Sequence, residues 1–557
     1  MTIRNTSTSF FHTLSTTSHF RVCLKALAIT VSFVLVAFGQ PANLAWFGPI
    51  VSVCGFSLFF LQTVNLDARQ RFWHGFTFFF FVQTVQLWWF TSHPFYYIWA
   101  VYFLVAALFG LQFGLLTLFA SRNTLSTLSG ALACAGIWTL LEWSRVSWFS
   151  GFYFNVIGQY LVANTLSLQL ASLLGTLGLS FWVMLTNCLV TYSILNRFRT
   201  KACSLVLVAI ALPYLFGWMH LAHLNEQQES YDEVHPPLST VIVHSKKVPD
   251  EMQADLQQTS SPLERAFDRW KEAIYALGPF RGQTYDFILL PEVVVPFSST
   301  SLIYPKELVN AVFLDALKTP FVTSEESYVC SEDIARGLTG AFGCPVIVGL
   351  ESTQAAQAGQ AQKFFNSAFC FTGQNYPHLR YDKQILVPMG EYTPFTWAKS
   401  IAMQYGIMDS FTPGHTSKVF CIGRHRVSPS ICYEETFFNL MRQNSLLGAT
   451  VLVNLTDDYW FPYSQLGLQH FEHARARTVE NGTPLIRACN FGISGALDSA
   501  GRTVEAREGL PVLSAFGVTV SSFHYKTLYS VLGNWPILMI SCAACILFLA
   551  LKRKKAL

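Results

Sequence analysis

Long apolar runs alternate with short polar stretches over the first 224 residues of this 557-residue chain. A helix that crosses a membrane needs about 20 predominantly apolar residues, and seven runs in this part approach that length. An eighth lies close to the end of the chain. The pattern therefore predicts about eight transmembrane helices, near residues 23–39, 44–61, 72–90, 97–119, 128–143, 166–192, 203–222 and 528–551.

Basic residues between these runs predict the orientation of the chain. Lysine and arginine are enriched in cytoplasmic loops. A set of basic residues follows the even-numbered runs or precedes the first one, whereas loop 91–94 has none. Both termini are therefore expected in the cytoplasm, and the long segment between runs seven and eight on the other side. The first run ends in Ala37 and Gly39 and could be a cleaved signal peptide, but seven further spans favour an uncleaved helix. The basic residues of this set are Arg21, Arg69, Arg71, Arg122, Arg197, Arg199, Lys201 and residues 552–555.

Residues 226–507 are richer in charge and follow a different pattern. Short β-branched runs such as 239–244 alternate with polar, helical stretches, which predicts an α/β sandwich whose strand ends present side chains. Residues 255–277 and 464–481 are predicted helices, and Gly482 provides a stop for the second. The predicted organisation is a membrane domain at 1–224, an α/β domain at 225–524, and a C-terminal transmembrane helix with a basic tail at 525–557.

Composition narrows the classes of protein that fit. With 52% hydrophobic and 13% charged residues, the chain is too apolar for an ordinary soluble protein, and its net charge of +4 indicates no nucleic-acid partner. The 13 cysteines are odd in number and spread over both parts, which argues against a zinc site or a disulfide scaffold. Cys330 and Cys344 could pair in an oxidising compartment or could be two unpaired core residues, and both readings stay open.

An unusually apolar stretch interrupts the α/β segment. Residues 395–413 carry eight large apolar or aromatic side chains and only two charges. In a soluble domain this composition is typical of a core helix. In a domain tethered to a bilayer on both sides, it is equally consistent with an apolar arm that enters the membrane interface.

Three reactive groups follow apolar strands in the same segment. Glu292 ends the run DFILLPE, where burial would raise its pKa and make it a proton acceptor. Lys383, with Glu391 eight residues later, could stabilise a developing oxyanion. Cys432 ends another apolar run, and Glu434 lies two residues further on. In a continuous strand these last two side chains would share one face.

Together these groups would supply the parts of cysteine-based acyl chemistry. A thiol is a strong nucleophile only as a thiolate, so it needs a base and a cation beside it. Glu292, Lys383 and Cys432 would provide the base, the cation and the nucleophile. Taken singly, each has a structural alternative as a cap, a surface lysine or a buried thiol. Neither an HExxH motif nor a Gly-x-Ser-x-Gly motif occurs in the chain.

Several stretches resemble one known family. Pro291-Glu292, YDKQILVPMGEYTPF at 381–395 and SICYEE at 430–435 are similar to the Glu, Lys and Cys elements of the nitrilase (carbon-nitrogen hydrolase) superfamily. The string Lys-x-x-LVP-x-GEY-x-P and NLTDDYWF at 454–461 resemble its apolipoprotein N-acyltransferase branch, and the resemblance covers nearly the whole chain. It implies a nitrilase-like αββα sandwich between membrane helices, outside the bacterial inner membrane.

The resemblance also implies roles for particular residues. Glu292 corresponds to the general base, Lys383 to the oxyanion-stabilising lysine and Cys432 to the acylated nucleophile. The supporting residues that it implies are Glu391 and Glu434 near this triad, Tyr433 and Trp460 as aromatic residues of the pocket, and Asn366 on a strand beside it. Residues 457–462 read Asp-Asp-Tyr-Trp-Phe-Pro and strand 239–248 lacks Gln-Gly-Asn. These departures from the family pattern concern pocket shape and substrate preference.

The expected activity is transfer of a fatty acyl group from a membrane phospholipid to the N-terminal amine of diacylglyceryl-cysteine in an apolipoprotein, through a thioester on Cys432. No cofactor or metal is implied, and we expect a monomer acting on the periplasmic side of the inner membrane. The alternative enzyme is a membrane-tethered amidase or nitrilase, in which water resolves the acyl-enzyme. A third reading is a scaffold or lipoprotein-binding module, which the presence of Glu292, Lys383 and Cys432 speaks against.

Overall fold

The computed structural model describes residues 18–148, 151–245, 261–322, 326–354, 362–373, 376–393, 411–508 and 513–556. Within these ranges a helical N-terminal part precedes an α/β domain and a C-terminal helix. The N-terminal helices are α1 Ser18–Phe38, α2 Ala45–Thr63, α3 Ala68–Gln86, α4 Tyr97–Phe119, α5 Leu128–Ser144, α6 Ala171–Leu195 and α7 Thr200–Val234. A helix therefore lies at each of the seven apolar runs of the N-terminal sequence.

Five helices in the described part of the chain are long and apolar enough to cross a membrane. They are α2, α4, α6, α7 and the C-terminal helix, of which Trp535–Lys554 forms the apolar stretch. Helix α5 has 17 residues, α1 has only a short apolar portion, and α3 begins with Arg69, Gln70 and Arg71. The chain is therefore a multi-pass membrane protein, whereas the count of eight spans stays a prediction.

Helix α6 is interrupted at Gly175, whose φ of 68° lies in the left-handed region. A Cβ at this position would lie 2.4 Å from the Tyr529 ring, so both the backbone conformation and the available space require glycine. The N–H of Thr176, which starts the second half of α6, donates to Glu480 Oε1 at 2.6 Å. A carboxylate of the α/β domain thus caps a membrane-domain helix.

Helix α7 contains Pro213 in its interior. Proline has no N–H, so the carbonyl of Ala209 loses its usual helical partner. Trp182 of α6 donates its Nε1 hydrogen to this oxygen at 2.7 Å. A side-chain contact between two helices therefore replaces the missing backbone hydrogen bond.

The α/β domain contains two six-stranded sheets. The strands of these two sheets are β1 Leu238–His244, β2 Phe287–Leu289, β3 Val346–Gln354, β4 Lys363–Phe371, β5 Leu379–Asp382, β6 Phe420–Ile422, β7 His425–Ile431, β8 Val451–Asp457, β9 Leu485–Asn490, β10 Ile493–Leu497, β11 Thr503–Glu508 and β12 Ser514–Val520. Two short strands, Tyr304–Pro305 and Tyr328–Val329, pair separately. The first sheet has the order β12-β1-β2-β3-β4-β5 and the second β11-β10-β9-β8-β7-β6. Strands β1 to β3 are parallel, as are β7 to β9, and the other pairs are antiparallel.

Helices cover the outer face of each sheet. Helices α8 Pro262–Leu277, α9 Lys306–Leu317 and α10 Ser331–Phe342 pack on the first sheet, and α11 Phe438–Leu446 and α12 Leu466–Asn481 pack on the second. Side chains alternate between the two faces of a strand, so Val451, Val453 and Leu455 of β8 enter the core between the sheets and Leu452 contacts the helices. The four layers form the expected nitrilase-like αββα sandwich. The chain ends in α13 Trp535–Ala556.

Helix predictions for the α/β domain agree with the structure where it can be compared. Helix α12 ends at Asn481, and Gly482 follows it with a φ of 60°. Helix α8 begins at Pro262, and the earlier part of the predicted helix 255–277 lies outside the described residues. The same holds for the apolar stretch 395–413 up to residue 410, so neither reading of that stretch is decided.

All 13 cysteines are free thiols. The sulfur of Cys330 donates to Asp333 Oδ2 at 3.1 Å, so of the two readings of Cys330 and Cys344 the unpaired one is correct. The sequence also contains one Cys-x-x-Cys spacing, Cys542 to Cys545. Both thiols lie unpaired on α13.

Candidate active site

Cys432 directly follows the C-terminal end of strand β7 in the second sheet. The strand ends at Ile431, and Cys432 begins a 3₁₀ turn, Cys432–Thr436. The φ of Cys432 is 54°, a left-handed conformation that is uncommon outside glycine. The prediction that Cys432 and Glu434 share one strand face is wrong, because this left-handed residue ends the strand and turns the chain. The half-buried thiol packs between the inter-sheet core and an aromatic cluster.

Glu434 lies buried beneath this turn and braces it. Its Oε2 accepts the N–H of Ile431 at 2.7 Å, and its Oε1 accepts the N–H of Gln384 at 2.6 Å. The Tyr381 hydroxyl donates to the same carboxylate. Burial raises the pKa of Glu434 to about 7, although the N–H donors lower it. The carboxylate thus joins the end of β7 to the segment that carries Lys383.

Lys383 lies between two carboxylates. Its side chain is 1% exposed, and its Nζ donates to Glu292 Oε1 at 3.1 Å and to Glu391 Oε1 at 2.9 Å. Asn366 on β4 donates its amide hydrogens to the same two oxygens, at 2.7 and 3.0 Å. The fold therefore brings together four of the predicted site residues from positions up to 99 residues apart in the sequence, the separation of Glu292 and Glu391.

A close approach of two backbone segments places Glu292 after β2. Gly349 of β3 has no side chain, and a Cβ there would lie 2.6 Å from the Glu292 Cα. The N–H of Gly349 donates to the Pro291 carbonyl at 3.1 Å. The Asn490 side chain of the second sheet donates to the Glu292 carbonyl at 2.6 Å. Hydrogen bonds from both sheets hold the backbone of Pro291 and Glu292. The Glu292 side chain therefore starts from a fixed position beside Lys383.

The charges of this group act on one another. Burial raises the pKa of Glu292, while the Lys383 ammonium lowers it. Burial also raises the pKa of Cys432; the charge of Glu292 adds to this effect and Lys383 opposes it. Burial lowers the pKa of Lys383, but the charges of Cys432, Glu292 and Glu391 raise it well above its ordinary value. A cation and a carboxylate of raised pKa therefore lie within electrostatic reach of the thiol. Base-assisted nucleophilic attack uses groups of these kinds.

Aromatic side chains border the thiol on the side of the membrane helices. The Tyr433 ring lies 5.9 Å from Lys383 Nζ. Trp460 is half exposed, and its ring stacks on His93 with the centroids 5.9 Å apart. Cys432 is packed against a hydrophobic cluster that includes Leu87, Trp89, Phe90, Tyr433, Phe437 and Leu466. An apolar surface shared with the connection between α3 and α4 thus reaches the nucleophile candidate.

Three residues of this site were not anticipated from the sequence. Asn454 on β8 donates its amide to the Cys432 carbonyl at 3.0 Å, Asn490 binds the Glu292 backbone, and Tyr381 binds Glu434. Asn490 ends β9, so the strand-end signal could have found it. Asn454 interrupts an apolar strand, and a buried amide there must find hydrogen-bond partners.

Side chains that could hold a metal ion are not grouped in the described ranges, where no three or more His, Cys, Asp or Glu residues form such a cluster. The Glu292 and Glu391 carboxylates instead share the Lys383 ammonium. The side chains of the site are of the kinds that transfer protons, attack carbonyl carbons and stabilise an oxyanion.

Comparison with known proteins gives matches over both parts of the chain. Residues 253–513 match the family Carbon-nitrogen hydrolase, and residues 32–189 match Apolipoprotein N-acyltransferase N-terminal domain. A Chlamydia muridarum protein named apolipoprotein N-acyltransferase is 31% identical over 544 residues, which cover 93% of this chain and 95% of that protein. The proteins of the same name from Chlamydia trachomatis and Chlamydia pneumoniae are 30% and 28% identical, covering 93% and 94% of this chain and 95% and 96% of their own.

Among solved structures, an amidase from Nesterenkonia sp. aligns with 52% of this chain and 92% of its own, at 16% identity and a TM-score of 0.31. Likeness at this level adds nothing to the strand order and layers described above.

Proposed function

The chain belongs to the apolipoprotein N-acyltransferase family. We propose that it transfers a fatty acyl group from a membrane phospholipid to the N-terminal amine of diacylglyceryl-cysteine in an apolipoprotein. The proposed catalytic residues are Glu292, Lys383 and Cys432. The observation that carries the proposal is the position of the Lys383 ammonium, held between Glu292 and Glu391 and within electrostatic reach of the Cys432 thiol.

The first half-reaction makes an acyl-enzyme. Glu292 accepts the thiol proton, and the Cys432 sulfur attacks the carbonyl carbon of a phospholipid ester. As the S–C bond forms, negative charge develops on the carbonyl oxygen, where Lys383 Nζ and a backbone N–H stabilise it. The ester C–O bond then breaks, and the leaving oxygen takes the proton from Glu292. A lysophospholipid departs and a thioester stays on Cys432.

The second half-reaction makes the amide. The neutral α-amine of the diacylated acceptor attacks the thioester carbon, and Glu292 accepts the proton that the nitrogen loses. Lys383 again stabilises the oxyanion. The C–S bond breaks, the sulfur takes the proton back, and the acylated apolipoprotein leaves with Cys432 restored.

Five further residues support the triad in this proposal. Glu391 and Asn366 hold Lys383 and Glu292 in place through the hydrogen bonds described above. Glu434 ties the Cys432 turn to the segment that follows Lys383. Tyr433 and Trp460 are aromatic residues of the substrate pocket.

The location of the reaction follows from the chemistry of its substrates. An acyl chain leaves the bilayer at a cost of about 0.8 kcal/mol per CH₂, so the site must lie at the membrane surface. The acyl chain lies along the apolar cluster that Cys432 shares with Trp89 and Phe90. Eight helices cross the inner membrane and place the α/β domain on the periplasmic side, which the distribution of basic residues supports. We propose that the enzyme acts as a monomer.

Intact-protein mass spectrometry tests the proposal. Detergent-purified protein is incubated with phospholipid, then with a synthetic diacylated lipopeptide. We expect a gain of one fatty acyl mass that hydroxylamine removes and that transfers to the lipopeptide. Cys432→Ser should never gain it, whereas Cys421→Ser, which changes an exposed thiol of the same domain, should behave as wild type.

Other results would contradict the proposal in distinct ways. Release of free fatty acid at a rate that the lipopeptide does not change would indicate the hydrolase. A wild type that never gains the acyl mass and never yields acylated lipopeptide would remove the covalent mechanism altogether and favour the scaffold.

A further inference from the structure

A closed ring of four ionisable side chains lies beneath the Cys432 turn. Arg487 Nη1 pairs with Glu435 Oε1, and Arg487 Nη2 lies 3.0 Å from Asp458 Oδ2. His470 completes the ring, with Nε2 3.1 Å from Glu435 Oε1 and Nδ1 2.8 Å from Asp458 Oδ1. Each basic side chain thus pairs with both carboxylates. All four residues are buried, with Asp458 the most exposed at 3%.

The ring joins four different elements of the α/β domain. Glu435 belongs to the turn that begins at Cys432. Asp458 directly follows β8 and comes two residues before Trp460. His470 lies on α12 and Arg487 on β9. The two basic residues therefore connect the turn that carries the thiol to the loop that carries an aromatic residue of the pocket.

Helix α12 extends the connection to the membrane part. On either side of His470 along the helix, Gln469 donates to Asn155 Oδ1 and His473 Nε2 lies 2.9 Å from the Phe154 carbonyl. Both partners lie in the connection between α5 and α6. Helix α12 thus connects the ring to the membrane domain.

The left-handed conformation of Cys432 explains why its turn needs such a support. A non-glycine residue in this region persists only where its surroundings hold it. The Cys432 carbonyl is held by Asn454 at 3.0 Å, and three residues later Glu435 is held by the ring. Burial lowers the pKa of Arg487, while negative charge on Cys489 and Cys432 raises it, so the guanidinium lies within electrostatic reach of the nucleophile.

We propose that Arg487 and His470 are positioning residues of the acyl transfer, which hold the Cys432 turn in register with the loop of Trp460 by bridging Glu435 and Asp458. This inference rests on the proposed function, in which Cys432 is the nucleophile. It assigns the ring to the reaction because a buried charge network is seldom better for stability than well-packed apolar side chains. Arginine suits the role since its planar fork binds two partners at once.

A matched pair of substitutions on neighbouring elements tests the proposal. Arg487→Lys keeps the positive charge but removes the planar guanidinium that contacts Glu435 and Asp458 at once. Arg477→Lys makes the same change in an equally buried guanidinium on α12, whose partners Glu480 and Thr176 do not touch the Cys432 turn. The measurement is the rate of Cys432 acylation over a range of phospholipid concentrations, by intact mass, with thermal unfolding in detergent recorded in parallel.

The expected result separates positioning from stability. Arg487→Lys should lower the acylation rate at saturating phospholipid by about 10- to 100-fold, because a small misplacement of a reacting group has effects of this size. Its half-saturating concentration should stay as in wild type. Arg477→Lys should lower the unfolding temperature but leave the acylation rate unchanged. Equal losses of rate in both variants, or a change confined to the half-saturating concentration, would overturn the inference.

Two further variants decide the question if Arg487→Lys does not fold. Asp458→Asn preserves shape and removes charge from one corner, and His470→Gln keeps a hydrogen-bond donor but removes the two ring nitrogens that face Glu435 and Asp458. Either should lower the saturating acylation rate by at least about tenfold, and a wild-type rate in both would overturn the inference. Wild-type protein that forms no acyl adduct would refute the proposed function itself, whereas a normal adduct with normal variants refutes only the roles of Arg487 and His470.

Discussion

The candidate active site around Lys383, referred to as the cleft, and the contact between α12 and α6 each bury a basic side chain against a carboxylate. In the cleft, Lys383 Nζ lies 3.1 Å from Glu292 and 2.9 Å from Glu391. At the contact, Arg477 lies 3.0 Å from Glu480, which also accepts the N–H of Thr176. In both places burial raises the pKa of the carboxylic acid.

The two regions differ in what adjoins the charges. The cleft group borders a half-buried thiol and an apolar surface, and its members stand after or on strands of one domain. The contact group caps the second half of a broken helix and joins two domains. Buried charge with a shifted pKa therefore does not identify a catalytic site on its own. The difference between the two regions is the half-buried Cys432 thiol, which lies within electrostatic reach of Lys383 and packs against an apolar cluster.

The largest effect is expected from Lys383→Met. The oxyanion loses its cation and Glu292 faces Glu391 without a counter-charge, so the rate of Cys432 acylation should fall by about 10³-fold. The rate is followed as the gain of acyl mass with time. Arg477→Met removes the cation of the other region and should leave the rate per folded molecule unchanged. Similar losses in both variants would break the distinction between the two regions.

Glu480→Gln tests the opposite expectation, a change at the contact between α12 and α6 that lowers stability but not the acylation rate. This change leaves Arg477 buried without its counter-charge and weakens the cap on Thr176, so it should destabilise the protein by about 3 to 5 kcal/mol. Thermal or denaturant unfolding in detergent measures the loss. The acylation rate of the protein that stays folded should equal that of wild type. A stable variant with slow acylation would show that the contact takes part in the chemistry.

A smaller effect is expected on the pH dependence of the cleft. Glu292 must be ionised to accept the thiol proton, and burial raises its pKa above the ordinary value of 4.5, so acylation should be lost on acidification at a pH above 4.5. The charge of Glu391 contributes to this rise. Glu391→Gln removes that charge and should therefore move the acidic limb of the pH–rate profile to lower pH. A limb that moves up, or stays in place while the rate falls, would contradict this account of Glu292.

Much of this site could be predicted from the sequence because strand ends carry a clear signal. Glu292 and Cys432 each follow an apolar run, and such runs form strands whose ends present side chains, here β2 of the first sheet and β7 of the second. Helix α12 could also be predicted, since Gly482 provides the left-handed residue that ends it. These are local features, and sequence patterns report local features best.

The rest depends on contacts that sequence spacing does not encode. At the left-handed turn, Glu434 of the turn accepts the hydroxyl hydrogen of Tyr381 on β5, and the Cys432 carbonyl accepts the amide hydrogen of Asn454 on β8. Once the turn ends the strand, the spacing of two between Cys432 and Glu434 no longer means a shared face. The ring around Arg487 escaped prediction for the same reason: its members come from four elements, and the buried arginine has no periodic pattern of its own.

The smallest effect on the acylation rate is expected from Tyr433→Phe. The Tyr433 hydroxyl donates to the Leu386 carbonyl at 2.8 Å, within the segment that carries Lys383 and Glu391. Losing this donor leaves a buried carbonyl unpaired, which costs about 1 kcal/mol, while the ring near Lys383 is kept. Acylation should slow by a few-fold as the segment loosens, measured again as acyl mass against time.

Tyr153→Phe is the matched control for this change. The Tyr153 hydroxyl also donates to a carbonyl, that of Trp143 at 3.3 Å, but its ring packs on Phe438 of α11 and not against the cleft. Both variants should lose a similar, small amount of stability, and only Tyr433→Phe should acylate more slowly. If the two variants acylate at the same rate, the segment with Lys383 is held by Glu434 and Asn366 alone, and the aromatic ring of Tyr433 matters for the substrate and not for the lysine.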